Sequence, residues 1–534
     1  MKVSLIGSSQ AKLAKTDLAY RELGFYNLKN YSGFSAARIC FSQRLLWKKA
    51  GLRFTLKAVQ SEAVPADELS GSAKRSKSLN DVRLFVGLPL DVISSDCNTI
   101  NHAKAIAAGL KALKLLGVEG VELPVWWGIV EKEATGKYDW TGYLAIAEMV
   151  QKVGLKLHVS LCFHASKIPN IPLPKWVSQI GESQPSIFYK NRSGQHYKEC
   201  LSLAVDDLPV LDGKTPIQVY QSFCESFKSS FSPFMESTIT GISMGLGPDG
   251  ELRYPSHREL LSYHKTFGVG EFQCYDENML SLLKQHAEAS RNPLWGLGGP
   301  HDAPTYDQSP YATGFFKDGG SWESPYGDFF LSWYADQLIA HGDRLLSLAA
   351  STFNDTGVTI YGKIPLMHSW YRTRSHPSEL TAGFYNTVKR DGYEAVAKMF
   401  ASNSCRIILP GLDMTDAYQP HETLSSPELL LAQIMESCRK HGVKVSGQNS
   451  SVSGAPGGFE QIKKNLLGDG VLDLFTYHRM GAFFFSPEHF PSFTEFVRSL
   501  NQPELHSDDL PDEEEEATES LIKTPESNMS MQAA

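Results

Sequence analysis

Eight short runs rich in β-branched and aliphatic residues recur along the chain, separated by stretches with helical apolar spacing. This alternation restricts the fold more than any other feature. The runs are VRLFVGL at 82–88, VEGVELPV at 118–125, LKLHVSLCF at 155–163 and TGISMGL at 240–246. VTIYGKI at 358–364, RIILPGL at 406–412, VKVSG at 443–447 and LDLFTYH at 472–478 follow. Helices are predicted over 103–116, stopped by Gly117, and over 429–441, stopped by Gly442. Nearly continuous apolar strands require burial on both faces, as in a parallel sheet covered by helices. Eight such units in about 420 residues predict an α/β fold, a (β/α)8 barrel with long loops at the C-terminal face of the strands. The competing open, doubly wound sheet usually carries a Gly-rich phosphate loop after its first strand; here VGLPLDV follows. No Walker sequence occurs either, which disfavours nucleotide binding.

The 534-residue chain has a net charge of −8, unevenly spread. Residues 1–60 hold eleven Lys and Arg against Asp17 and Glu22, an excess of nine, so the remainder carries −17. An acidic folded part argues against nucleic-acid binding. Residues 1–80 are basic, Ser-containing and acid-poor, the composition of an organellar transit peptide with a disordered basic segment. Residues 81–503 are assigned to the barrel. Residues 504–534, with the run DDLPDEEEEATES, form an acidic tail too poor in apolar residues to fold alone. No run of eighteen or more apolar residues occurs, so no membrane span is expected. The eight cysteines are scattered without C-x-x-C spacing, which points to free thiols rather than zinc or a disulfide framework.

In a closed parallel barrel, chemistry belongs at the C-terminal ends of the strands. Those ends carry Trp126, Trp127, His164, Glu251, Lys363, His368, Trp370, Asp413, Gln448, Asn449 and Arg479. Indoles, cations and amides suit a carbohydrate cleft, because sugars stack on rings and their hydroxyls seek paired donors and acceptors. Trp126 and Trp127 are expected to pack beneath the cleft. His164 and His368 lack metal-site spacing with carboxylates or thiols, so no metal is expected.

Several ordered motifs resemble the β-amylases, family 14 of the glycoside hydrolases. They are VEGVELPVWWGIVE, GLGPDGELRYPS followed by GEFQCYD, ATGFFKDGG and HPSELTAGFYN. The likeness spans about residues 82–500. It implies a (β/α)8 barrel and a chemistry that releases β-maltose from the non-reducing ends of α-1,4-glucans with inversion. Inversion needs one carboxyl to protonate the leaving oxygen and a second to deprotonate water. The resemblance places the family's acid at Glu251 and its sugar contacts at His164, Lys363, His368, Trp370, Asn449 and Arg479. No cofactor is implied. The family's base, the Glu of a G-E-N triplet, falls on Gln448 within Gly447-Gln448-Asn449. An amide has no useful basicity, and losing a general base costs about two to four orders of magnitude in rate.

Further departures accompany it. Pro124 stands where the family's D-V-W-W-G motif has Asp. ASKIPNIPLPKW follows Phe163-His164 in place of a lid containing G-G-N-V-G-D. Pro410-Gly411-Leu412-Asp413 replaces a Thr-Cys-Leu-Glu inner loop, and Ser369 replaces a tryptophan between His368 and Trp370. The expected function is therefore a non-catalytic regulator or scaffold of starch and α-1,4-glucan degradation in the chloroplast stroma. It would bind glucan or maltooligosaccharide, or contact an active starch-degrading enzyme. The alternatives are a weak exo-acting maltohydrolase, with Asp413 or Asp416 as substitute base, and a maltose or glucan sensor.

Overall fold

The computed structural model describes residues 82–257, 268–450, 457–467 and 471–500. The expected leader at 1–80 and the acidic tail at 504–534 lie outside the described residues. The strands, in chain order, are β1 (Arg83–Gly87), β2 (Gly120–Trp126), β3 (Lys156–Cys162), β4 (Phe188–Lys190) and β5 (His196–Leu201). They continue as β6 (Ile239–Met244), β7 (Thr359–Lys363), β8 (Arg406–Leu409), β9 (Val445–Gln448) and β10 (Leu472–Tyr477). All but β4 and β5 coincide with the eight runs read from the sequence. Those eight are parallel neighbours in one closed barrel. Closure is made at β1, which pairs Phe85 with Gly120 of β2 on one side and Arg83 with Leu474 of β10 on the other. No strand edge of the barrel is then left to seek a partner. The antiparallel hairpin β4–β5 lies in the connection between β3 and β6, and nothing in the strand pattern predicted it.

The helices form where the sequence supplies both an apolar stripe and an end signal. The first spans Ala103–Leu116 and buries Ile106, Gly109, Leu110 and Leu113. It stops at Gly117, whose φ of 94° is open to glycine without a Cβ penalty. The helix predicted over 429–441 is observed at Pro427–Lys440, with its proline in the first turn, where a missing N–H costs nothing. Pro216–Ser230 begins with a reciprocal capping box between Thr215 and Gln218. Among the described residues no helix is long and apolar enough to cross a membrane.

Inside the barrel, large rings sit over glycines. A Cβ on Gly120 would lie 2.4 Å from the Phe85 ring and 2.6 Å from the Lys156 carbonyl oxygen. Gly241 likewise makes room for His158 and Tyr361, whose ring centres are 4.7 Å apart. His158 is 3% exposed, and its Nε2 has no hydrogen-bond partner. Burial holds its pKa down to about 4, although the Glu122 carboxylate pulls the other way. The imidazole is neutral at pH 7.

Two outcomes are expected. Gly120→Ala overpacks a wall made partly of backbone, and should lower stability by about 1–3 kcal/mol in denaturant titrations. His158 has a lower pKa folded than unfolded, so its stabilising contribution is complete above about pH 6.5. That contribution is lost as pH falls toward 4 and amounts to about 3 kcal/mol at most. Thermal unfolding between pH 7 and 4 should show this decline, and His158→Asn should flatten it.

Candidate functional site

The residues expected to line a cleft lie at or just beyond the C-terminal ends of barrel strands. Parallel strands all end on one face, so the topology brings them to one mouth. They fall into three groups.

The first group surrounds Glu251. The chain leaves β6 through a single turn at Pro248–Gly250, and Glu251 then bridges to Lys363 at the end of β7. The amide of Leu252 donates to the Lys363 carbonyl at 2.8 Å and fixes that register. Lys363 Nζ lies 3.1 Å from Glu251 Oε1, and Arg253 Nε donates to Glu251 Oε2 at 2.8 Å. Arg253 also pairs with Asp249. Each oxygen of Glu251 thus already faces a cation. His164 packs beneath this turn; a Cβ on Gly250 would be 3.3 Å from its ring. Burial lowers the His164 pKa to about 4, against the pull of Asp249, and its Nδ1 has no hydrogen-bond partner. Gly245, Gly247 and Gly250 have G-x-G-x-x-G spacing, but they lead into one 3-10 turn. A dinucleotide fingerprint needs a helix N-terminus at that point.

The second group stands at the ends of β9 and β10. Gln448 is 5% exposed, and its side-chain Oε1 has no hydrogen-bond partner. Asn449 is turned to the backbone: its Oδ1 accepts from the His478 amide at 2.7 Å, and its Nδ2 donates to the His478 carbonyl at 2.9 Å. Arg479 Nη1 donates to Glu122 Oε2 at 2.6 Å and to the Leu88 carbonyl at 2.9 Å. Burial alone would raise the Glu122 pKa. Arg479, the His478 ring and the Ser160 hydroxyl more than offset it, and the carboxyl falls to about 2.

The third group is the segment after β7. His368 Nδ1 lies 2.6 Å from Ser425 Oγ, and burial lowers the imidazole pKa to about 4. Trp370 has a φ of 62°, a conformation that costs a non-glycine residue about 1–3 kcal/mol. Backbone bonds of 2.8 Å from Trp370 to Thr423 and 2.9 Å from Arg372 to Leu424 hold it there.

Trp126 and Trp127 are buried beneath the mouth. The Trp126 ring meets His164 edge-on at 5.3 Å, and Trp127 packs among Phe163, Trp176 and Tyr220. The segment after His164 is strapped down. Ser166 and Ile171 exchange two backbone bonds of 2.8 Å, Lys167 pairs with Glu199 at 2.8 Å, and Pro172 presses on Gly128. The inner loop is clamped as well. Leu412 N donates to the Gln448 carbonyl, Asn465 donates to the Leu412 carbonyl, and both oxygens of Asp413 accept from Ser450. Burial raises the Asp413 pKa. Asp416 is occupied by Ser426, Arg372 and the Glu428 amide.

Reading strand ends did not find Glu122, Asp249 or Ser425. Glu122 had a signal, being a charged residue within the apolar run GVELPVW. Ser425 had none, since only packing brings it to His368. Among the described residues, no group of three His, Cys, Asp or Glu is placed to hold a metal.

The profile of glycosyl hydrolase family 14 matches residues 85–504. The chain is 60% identical to inactive beta-amylase 9 of Arabidopsis thaliana, over 96% of each chain. It is 39% identical to beta-amylase 2, chloroplastic, of Oryza sativa subsp. japonica, covering 83% of this chain and 81% of that one. Among solved structures, the catalytic domain of β-amylase from Paenibacillus polymyxa superposes with a TM-score of 0.66 at 27% identity. That match covers 80% of this chain and 100% of the bacterial domain. With the family profile covering most of the chain and a relative 60% identical along nearly its whole length, the chain belongs to glycosyl hydrolase family 14, the β-amylase family.

Proposed function

We propose that this protein is a non-catalytic β-amylase homologue that regulates or scaffolds α-1,4-glucan degradation in the plastid. One observation carries the reading: a buried amide, Gln448, ends β9 at the position that the sequence resemblance aligns with the family's general base. An amide can orient water but cannot take its proton. The two carboxylates nearest in sequence to an alternative are committed elsewhere, Asp413 to Ser450 and Asp416 to Ser426 and Arg372. Glu251, as the retained family acid, lies between Lys363 and Arg253. The tied lid segment and inner loop also leave little to close over a substrate, and closure is what excludes water and commits substrate in mobile-lid enzymes.

Two relatives from Arabidopsis thaliana bear names that support inactivity, inactive beta-amylase 9 and inactive beta-amylase 4, chloroplastic. Other relatives are named chloroplastic, which supports a plastid location with residues 1–80 as the leader. Family membership favours α-glucan or maltooligosaccharide as ligand, with His164, Lys363, His368, Trp370, Asn449 and Arg479 as its contacts. An active starch-degrading enzyme is the alternative partner.

The test is β-maltose release from soluble amylopectin and maltopentaose by the purified full chain, beside Glu251→Gln and Gln448→Glu. The wild type should release no more than Glu251→Gln, at least two orders of magnitude below an active β-amylase. Gln448→Glu alone should restore little, because lid and inner loop remain tied. Activity in the wild type that disappears with Glu251→Gln would instead establish a slow maltohydrolase.

A further inference from the structure

Glu122 is a carboxylate buried in the barrel wall, opposite His158 of β3 and close to His478 and Arg479 beyond β10. It lies on β2 two residues before Pro124, and residues two apart on a strand share a face. The wall around it is shaped to admit it. A Cβ on Gly87 would lie 2.9 Å from the His478 ring, 3.0 Å from Arg479 Nη1 and 3.1 Å from Glu122 Oε2. Any residue but glycine on this part of β1 would therefore intrude on the ion pair.

The pair extends into a polar belt across the lumen. Arg479 follows β10, Glu122 is on β2, and Ser160 of β3 bonds to Glu122 and shares a 2.8 Å hydrogen bond with Ser243 of β6. Glu122 is 4% exposed at its side chain, whereas Arg479 is 23% exposed. The acid end is thus sealed in the lumen and the cation faces the mouth. The same Nη1 is held by the Leu88 carbonyl. A guanidinium bound from below by a buried carboxylate and a carbonyl has its charge and one donor nitrogen satisfied before any ligand arrives.

We propose that Glu122 is an internal occupant of Arg479 that sets how strongly the mouth binds neutral sugar. It is a positioning residue: it draws the guanidinium toward the lumen, so a sugar hydroxyl must compete with a carboxylate for it. A neutral hydroxyl is the weaker acceptor, because bonds to ionised groups are roughly twice as strong as those between neutral ones. The proposal rests on the reading that this mouth receives α-glucan without turning it over.

The test is calorimetric titration of maltotriose into the full chain as wild type, Glu122→Gln, Arg479→Gln and the double variant, each checked for cooperative thermal unfolding. Glu122→Gln keeps the shape and removes the charge. It should bind at least tenfold more tightly than wild type, and the double variant should lose that gain. A purely structural Glu122 would only weaken binding. Equal dissociation constants for wild type and Glu122→Gln would overturn the role of Glu122 while leaving glucan binding in place. No binding by any of the four would overturn the glucan reading and the proposal with it. If Glu122→Gln does not fold, Glu122→Met, which fills similar space without charge, takes its place in the same titration, and the same outcomes decide.

Discussion

Closure of the barrel at β1 is the constraint on which the other features of this molecule depend. β1 is hydrogen-bonded to β2 on one side and to β10 on the other, so residues nearly 400 positions apart become neighbours. Only that closure sets Arg479 against Glu122 and places His478 over Gly87. It also defines the lumen, where Phe85 lies over Gly120 and His158 and Tyr361 lie over Gly241. A parallel barrel then delivers every strand end to one face. The mouth is a consequence of topology, and its chemistry depends on which side chains the strands carry there.

At that mouth, polar groups are largely satisfied by the protein. Glu251 meets Lys363 and Arg253, Asn449 meets the His478 backbone, Asp413 meets Ser450, and Arg479 meets Glu122. Buried polar groups must be paired to avoid a desolvation penalty of several kcal/mol. Pairing them internally favours the folded state and leaves a ligand fewer unfilled valences. Gln448 Oε1 and His164 Nδ1 are the exceptions among the expected site residues, each buried without a protein partner. An uncharged amide costs less to leave unpaired than a carboxylate would, so Gln448 is consistent with a strand end not held for proton transfer.

Left-handed backbone at non-glycine positions occurs in this region as well as elsewhere in the chain. Trp370 and His376 both have positive φ, at 62° and 46°, in the segment after β7. Backbone bonds from Trp370 and Arg372 to the 423–424 turn sustain the first. The segment after His164 and the loop after β8 are fastened by bonds between main chains and by Asp413. The fastening is compatible with a binding surface of fixed shape, and binding to a preformed surface avoids part of the ordering cost.

The sequence by itself determined the barrel and the identity of the groups at its mouth. Eight apolar runs separated by helices admit few other folds, because each strand face must be covered and a one-chain parallel sheet of this size closes economically on itself. Gly117 and Gly442 marked helix ends for the same local reason, a tolerance of positive φ. Motif spacing also set Glu251, Lys363 and Gln448 at or beyond the ends of β6, β7 and β9. Tertiary structure alone decided which of these groups meet. Ser425 reaches His368 across 57 residues, and Glu122 reaches Arg479 across 357. The hairpin β4–β5 had too short a pattern to be seen. Local propensity acts over a few residues, whereas ion pairing and burial depend on distances fixed only when the barrel closes. The charge inside GVELPVW was legible as an anomaly, but its partner was not.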